Sequence, residues 1–148
     1  MSIVVEQVPI WLVLPLRQRV LRPHQRIVEV GFPGDEIGTH FAAFDETSMV
    51  VGVVSLIPNR SDPNALISWR LRGMATTPER QGSGVGRLLM EAVLFFTPQL
   101  DPGGIWCAAR IAAVGFYERF GFVTVGAPYV EPDIGPHIRM ERVAKPAP

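Results

Sequence analysis

Cysteine, excess charge and long apolar runs are all scarce in this chain. Its single cysteine, Cys107, excludes an internal disulfide, and no His/Cys spacing matches a zinc site. Fourteen basic and 14 acidic residues cancel to a formal net charge of zero, with the basic ones scattered. A partner gripped through nucleic-acid phosphates calls for a clustered basic face, so no nucleic acid is expected. Hydrophobic residues make up 47% of the chain, yet no stretch of about 18 lacks a polar break, so no membrane-spanning helix is expected. The opening Met1-Ser2-Ile3-Val4-Val5-Glu6 has no basic segment ahead of an apolar one. No signal peptide is expected on that ground, and the cytoplasm is the default location.

What is present is one domain's worth of chain. The 148 residues suffice to bury a core unaided and are read as a single domain, 1–148. Fourteen glycines and 14 prolines sit mostly between periodic segments, as loop punctuation. The chain has no internal repeat.

The stretch from Ile67 to Phe96 organises the rest. Ile67, Trp69 and Leu71 alternate with Ser68, Arg70 and Arg72, the period of a half-buried strand. Thr76-Thr77-Pro78 breaks it, and Gln81-Gly82-Ser83-Gly84-Val85-Gly86 follows. Val85, Leu88, Leu89, Ala92, Val93 and Phe96 then fall on one helical stripe. A glycine costs a helix roughly 1 kcal/mol relative to alanine, so a purely structural helix start would avoid three in five residues. Glycines allow a ligand close to the backbone, and the first-turn amides point out of the helix end. With the helix dipole they make a seat for a phosphate, flanked by Arg80 and Arg87.

A Walker-type loop is excluded, because this stretch contains no lysine. A dinucleotide fingerprint is excluded too, because its third glycine would fall on Arg87. The letters do match Q-x-x-G-x-G, at Gln81, Gly84 and Gly86. This resembles the pyrophosphate loop of the GNAT superfamily of N-acetyltransferases. A second match lies at Ala113-Val114-Gly115-Phe116-Tyr117 through Gly121-Phe122, which resembles the family's A-x-x-F-Y-x-x-x-G-F region. The resemblance is close from about Met49 to Val125 and topological elsewhere.

The order of elements fits. Ile3–Val8 reads as a strand, and Ile10–Leu21 as a helix that Pro15 must kink or delay, with Arg17 and Arg19 exposed. Residues 24–39 are irregular around Phe32-Pro33-Gly34-Asp35. His40–Phe44 and Met49–Ile57 form a hairpin, and Pro58–Asn64 is a polar loop. Beyond the glycine turn and its helix, Pro98–Gly104 leads to the strand Ile105–Ala108. A helix over Arg110–Phe120 is stopped by Gly121, then come a strand at Phe122–Val125, a loop at Gly126–Pro136 and a strand at Ile138–Val143. The resemblance implies an α/β GNAT-like fold, with a mixed, mostly antiparallel sheet of six to seven strands, helices flanking it, and splayed central strands.

The same resemblance implies acetyl-CoA as cosubstrate and transfer of its acetyl group to a primary amine on a small molecule or peptide. Coenzyme contacts are implied for Met74, Ala75 and Thr76 at the strand end, for Arg80, Gln81, Gly82, Ser83, Gly84, Val85, Gly86 and Arg87 in the loop, and for Arg110. Many family members carry asparagine where Arg110 stands. On the residues alone Tyr117 reads as a core aromatic; the resemblance makes it the acid that protonates the leaving thiolate. The general base is not identified among Glu36, His40, Asp133 and His137. Cys107 reads as core, as do Trp69 and Trp106, while Trp11 is a candidate lining for the acceptor. Asp35, Glu36, Glu131 and Asp133 would make that pocket acidic. No metal is implied, and a second copy of the chain is neither required nor excluded. The alternative to an enzyme is a non-catalytic acyl-CoA-binding module.

Overall fold

A computed structural model describes residues 2–59, 67–97, 104–132 and 134–143. Its strands are β1 (Val4–Val8), β2 (Thr39–Phe44), β3 (Val50–Pro58), β4 (Trp69–Thr76), β5 (Ile105–Arg110), β6 (Val123–Glu131) and β7 (Gly135–Arg142). Its helices are α1 (Leu14–Leu21), α2 (Val85–Phe96) and α3 (Val114–Glu118). The strands pair in the order β1-β2-β3-β4-β5-β7-β6. β4 runs parallel to β5 at Trp69↔Ile105 and Arg70↔Trp106, and the β1–β2, β2–β3, β5–β7 and β6–β7 ladders are antiparallel. The expected mixed, mostly antiparallel sheet of seven strands is what forms. The chain divides into two compact units, residues 1–58 with 71–100 and residues 59–70 with 101–148. The expected polar loop and the approach to β5 lie largely outside the described residues, at 60–66 and 98–103.

In the first unit β3 is apolar from Val51 to Ile57 apart from Gly52 and Ser55, and all seven residues are buried. Such a run has no solvent face and suits a strand covered on both sides. Gly52 permits the cover. A Cβ there would stand 2.5 Å from Val85 and 3.0 Å from Leu89, so its absence lets α2 lie directly on the strand. α2 buries Val85, Leu89, Met90 and Val93, a stripe turned slightly from the expected one so that Met90 replaces Leu88 at its centre. Pro15 resolves by a later start. A 3-10 turn covers Ile10–Leu12, and Pro15 then sits in the first turn of α1, where no backbone donor is needed.

The second unit departs further from expectation. Ile105, Cys107 and Ala109 of β5 share a buried face with Ile138 and Met140 of β7. β5 runs on to Arg110, because the ladder with β7 continues to Arg110↔His137. The expected helix over Arg110–Phe120 is therefore a 3-10 turn at Ile111–Ala113 followed by five helical residues. Gly121 does stop it, with the Phe122 amide reaching back to the Tyr117 carbonyl at 3.3 Å. The expected loop from Gly126 to Pro136 is mostly strand. β6 passes its awkward residues as a bulge, since Val125↔Arg139 and Tyr129↔His137 leave Gly126, Ala127 and Pro128 facing Ile138 alone. Pro128 has no amide to donate, so the ladder skips it. Trp106 is half-buried rather than core, its ring held between the guanidiniums of Arg70 at 4.3 Å and Arg139 at 4.1 Å. Trp69 is likewise half-buried.

The largest correction is Arg17, expected at the surface and in fact fully buried. Val13, Leu16, Arg17 and Val20 stand at i, i+3, i+4 and i+7, so Arg17 lies on the inward stripe of α1. Its guanidinium donates to Asp35 at 2.8 and 3.2 Å, to the Val30 carbonyl at 3.1 Å and to Ser55 Oγ at 2.8 Å. The Phe32 ring covers it at 3.9 Å and takes Arg72 on a second approach at 3.8 Å. Arg17→Met would leave the Asp35 carboxylate buried without its partner. We expect a loss of about 3–5 kcal/mol in urea unfolding. Most of it should return in Arg17→Met with Asp35→Leu, where an apolar pair replaces the ionic one.

Candidate functional site

The glycine loop begins where β4 ends. Thr77 donates its amide to Val51 at 2.9 Å, and Pro78–Arg80 makes a 3-10 turn. Gly82 and Gly84 both adopt left-handed backbone, at φ +81° and +94°, where a side chain costs roughly 1–2 kcal/mol. Packing does not explain them. A Cβ at Gly82 would meet nothing within 4 Å, and one at Gly84 would meet only an Arg87 nitrogen at 4.0 Å. The first bond inside α2 runs from the Leu88 amide to the Gly84 carbonyl, and among the described residues no side chain caps the helix. The Val85, Gly86 and Arg87 amides therefore precede the helical ladder and open beside the space the glycines leave. Gly86 lies inside α2 rather than before it. Gln81 folds back to donate to the Thr76 carbonyl at 3.2 Å, and Ser83 Oγ donates to the Arg80 carbonyl, so the loop is braced against its own strand.

The two flanking arginines differ. Arg80 is not the mobile cation expected. It pairs with Asp45 at 3.4 Å and lies 3.7 Å from Glu46, with 20% of its side chain exposed. The Asp45 carboxyl is held below the usual range, first by the Thr47 hydroxyl and then by backbone amides. Arg87 is exposed and, among the described residues, pairs with Glu91, one turn along, at 2.8 Å. Such a pair is weak and leaves the guanidinium available to an arriving anion.

Above the loop, Ala75 is buried while Met74 and Thr76 are half-buried. Gly73 sits inside β4 with left-handed backbone, at φ +71°, the conformation a glycine takes at one kind of strand bulge. Its side-chain position is already filled, since a Cβ would stand 3.1 Å from Phe32 and 3.2 Å from Arg17 Nε. Sequence reasoning places the strand end here but missed its contact with Arg17. The Val13–Leu16–Arg17–Val20 spacing could have found Arg17, but nothing local announces its meeting with Gly73.

In the second unit Tyr117 is 9% exposed, edge-on to Phe116 at 5.2 Å and to Phe122 at 5.6 Å. Burial pushes its hydroxyl up, with Cys107 adding to the rise and Arg110 opposing it. The phenol thus keeps its proton well past pH 10. Among the described residues no partner takes that hydroxyl. Burial also pushes the Cys107 thiol up to about 12, so it is an inert core group. Arg110 is exposed at the end of β5.

His40 drops out as a base. Its Nε2 lies 2.9 Å from the Asp35 carbonyl, which can only accept, and its Nδ1 lies 2.6 Å from Ser55 Oγ. Both nitrogens are committed. Asp35 drops out of the expected acidic lining because it pairs with Arg17. Glu36 and Glu131 are exposed, and Asp133 lies outside the described residues. His137 is 7% exposed and has Nδ1 2.9 Å from the Gly135 carbonyl. Trp11 is 65% exposed. Among the described residues no group of His, Cys, Asp and Glu could hold a metal ion, and no helix is long and apolar enough to cross a membrane.

Known proteins share this fold and sequence pattern. The family model "Acetyltransferase (GNAT) domain" matches residues 25–144. The uncharacterized N-acetyltransferase YitI of Bacillus subtilis (strain 168) is 30% identical over 134 residues, which cover 88% of this chain and 89% of YitI. An acyl-CoA N-acyltransferase from Pseudomonas aeruginosa superposes with a TM-score of 0.74 at 24% identity, over 96% of this chain and 100% of that one. An aminoglycoside 6'-N-acetyltransferase complexed with coenzyme A superposes with a TM-score of 0.73 at 15% identity, over 98% and 99%. The chain is an acyltransferase and belongs to the GNAT acetyltransferase family.

Proposed function

We propose that this chain, as one domain, moves the acetyl group of acetyl-CoA to a primary amine by direct attack in a ternary complex. The observation that carries the reading is the seat at the start of α2. Three backbone amides open onto space kept clear by Gly82 and Gly84, and among the described residues no side chain caps them. A pyrophosphate matches that seat in charge and in its need for close backbone approach. Arg87 adds a cation, Arg80, Gln81 and Ser83 shape the loop, and the Gly73–Thr76 backbone offers hydrogen bonds to the pantetheine arm. A backbone amide at this strand end is suited to polarise the thioester carbonyl. Arg110 takes the place usual for asparagine and reaches the coenzyme with a guanidinium instead.

Tyr117 gives its proton to the leaving sulfur. Its burial, retained proton and open hydroxyl support that role. Direct attack needs no nucleophile on the protein, in keeping with the inert thiol of Cys107.

Acetyl-CoA at a hundredfold its dissociation constant should stabilise the fold by about 2.7 kcal/mol, a rise in Tm of roughly 5–10 °C. Gly84→Trp should abolish that rise while circular dichroism stays native; an undiminished shift would remove the loop from coenzyme binding. Tyr117→Phe should lower kcat roughly 100-fold and leave the acetyl-CoA shift in place. Wild-type kcat should show no alkaline loss up to about pH 10, because the phenol stays protonated there. Cys107→Ala should keep kcat within about twofold, since no general acid, base or nucleophile is lost. A dead Cys107→Ala enzyme that still folds would point to an acyl-cysteine route instead.

A further inference from the structure

We infer that His137 is the general base that removes the proton from the substrate ammonium; this rests on the acetyl-transfer reading above. The ring is almost enclosed, and its Nδ1 stands 2.9 Å from the Gly135 carbonyl. A carbonyl only accepts, so Nδ1 carries the hydrogen and the lone pair sits on Nε2. Among the described residues nothing occupies Nε2. Tyr129 stacks on the ring at 6.1 Å and 26°, which fixes its plane. This is the arrangement of a base held by a second group. His40, by contrast, has both nitrogens engaged.

Its place in the sheet is equally specific. His137 is the direct cross-strand partner of Arg110 on β5 and of Tyr129 on β6. Facing residues in an antiparallel ladder have Cβ atoms about 4.5–5.5 Å apart. His137 thus stands on the same face of the second unit's strands as Arg110, a residue proposed above to contact the coenzyme. The other charged and titratable groups on that face are Arg70, stacked on Trp106, Arg139, paired with Glu141 at 2.7 Å, and Glu131 at the end of β6.

The proton balance closes. Nε2 takes one proton from the ammonium, and the freed lone pair attacks the acetyl carbon. The C–N bond forms and the C–S bond breaks with its electron pair going to sulfur, which Tyr117 protonates. The nitrogen's second proton, acidic once the C–N bond exists, leaves to water, and water reprotonates Tyr117. His137 returns its proton to solvent, so one proton is released per acetyl transferred.

The test uses the full chain with acetyl-CoA and a panel of ethanolamine, putrescine and benzylamine, read by thiol release. His137→Gln should lower kcat/KM for the accepted amine roughly 100-fold at pH 7. The KM for acetyl-CoA should stay within about threefold, and the kcat/KM profile against pH should lose the plateau above its acid limb, so that the rate climbs with hydroxide without levelling. His137→Ala should recover turnover when free imidazole is added, which a structural role would not allow. A His137→Gln enzyme that keeps the wild-type acid limb and rate overturns the assignment while leaving the acetyl-transfer reading intact. A wild type that binds acetyl-CoA but acetylates nothing overturns both.

Discussion

A guanidinium cut off from water must find a carboxylate and carbonyls, and Arg17 finds them on segments far apart in the chain. From the inward face of α1 it reaches Val30 and Asp35 in the irregular segment and Ser55 in β3. Asp35 also accepts the Phe32 amide at 2.6 Å, and Ser55 also meets His40. Removing one partner of such a set strands a charge, so its members stand or fall together. The left-handed Gly73 rests against this cluster, with Arg17 Nε and Phe32 where a side chain would go. The shape of the end of β4 therefore depends on the ion pair packed behind it.

Arginine does this kind of work throughout the chain. Thirteen of the 14 basic residues are arginine, and its flat, weakly hydrated cation tolerates burial and stacking that lysine does not. Arg17 and Arg72 stack on Phe32, and Arg70 and Arg139 on Trp106. Partly desolvated cation–π contacts contribute about 0.5–2 kcal/mol each. They hold half-buried sheet faces together where an apolar core would have demanded full cover.

Burial sets the chemistry of the second unit in the same way. Cys107 and Tyr117 both lose access to water, and both hold their protons more tightly for it. For the thiol this means inertness. For the phenol it means a proton still held where an unperturbed tyrosine would begin to lose it. One physical cause silences a nucleophile and preserves an acid, and the difference lies in which group has an open atom.

The glycine loop, the stripe of α2, the strand before it and the Gly121 stop were legible in the sequence, because each rests on local backbone geometry and helical or strand periodicity. The A-x-x-F-Y-x-x-x-G-F pattern likewise located Tyr117. Tertiary structure alone decided the rest. Arg17 reads as a surface cation until Asp35 and Ser55 are brought to it, and Arg80 reads as free until Asp45 arrives from the β2–β3 turn. The loop after Val125 becomes strand only because β7 supplies the facing residues and a bulge absorbs Pro128. The pairing of His137 with Arg110, and the Gly135 carbonyl that fixes its tautomer, depend on register. Periodicity and backbone preference act between neighbours in the chain and so are written in the sequence. Charge pairing and strand register act between residues far apart in the chain, 35 positions in Arg80 with Asp45 and 38 in Arg17 with Ser55, and exist only once the chain has folded.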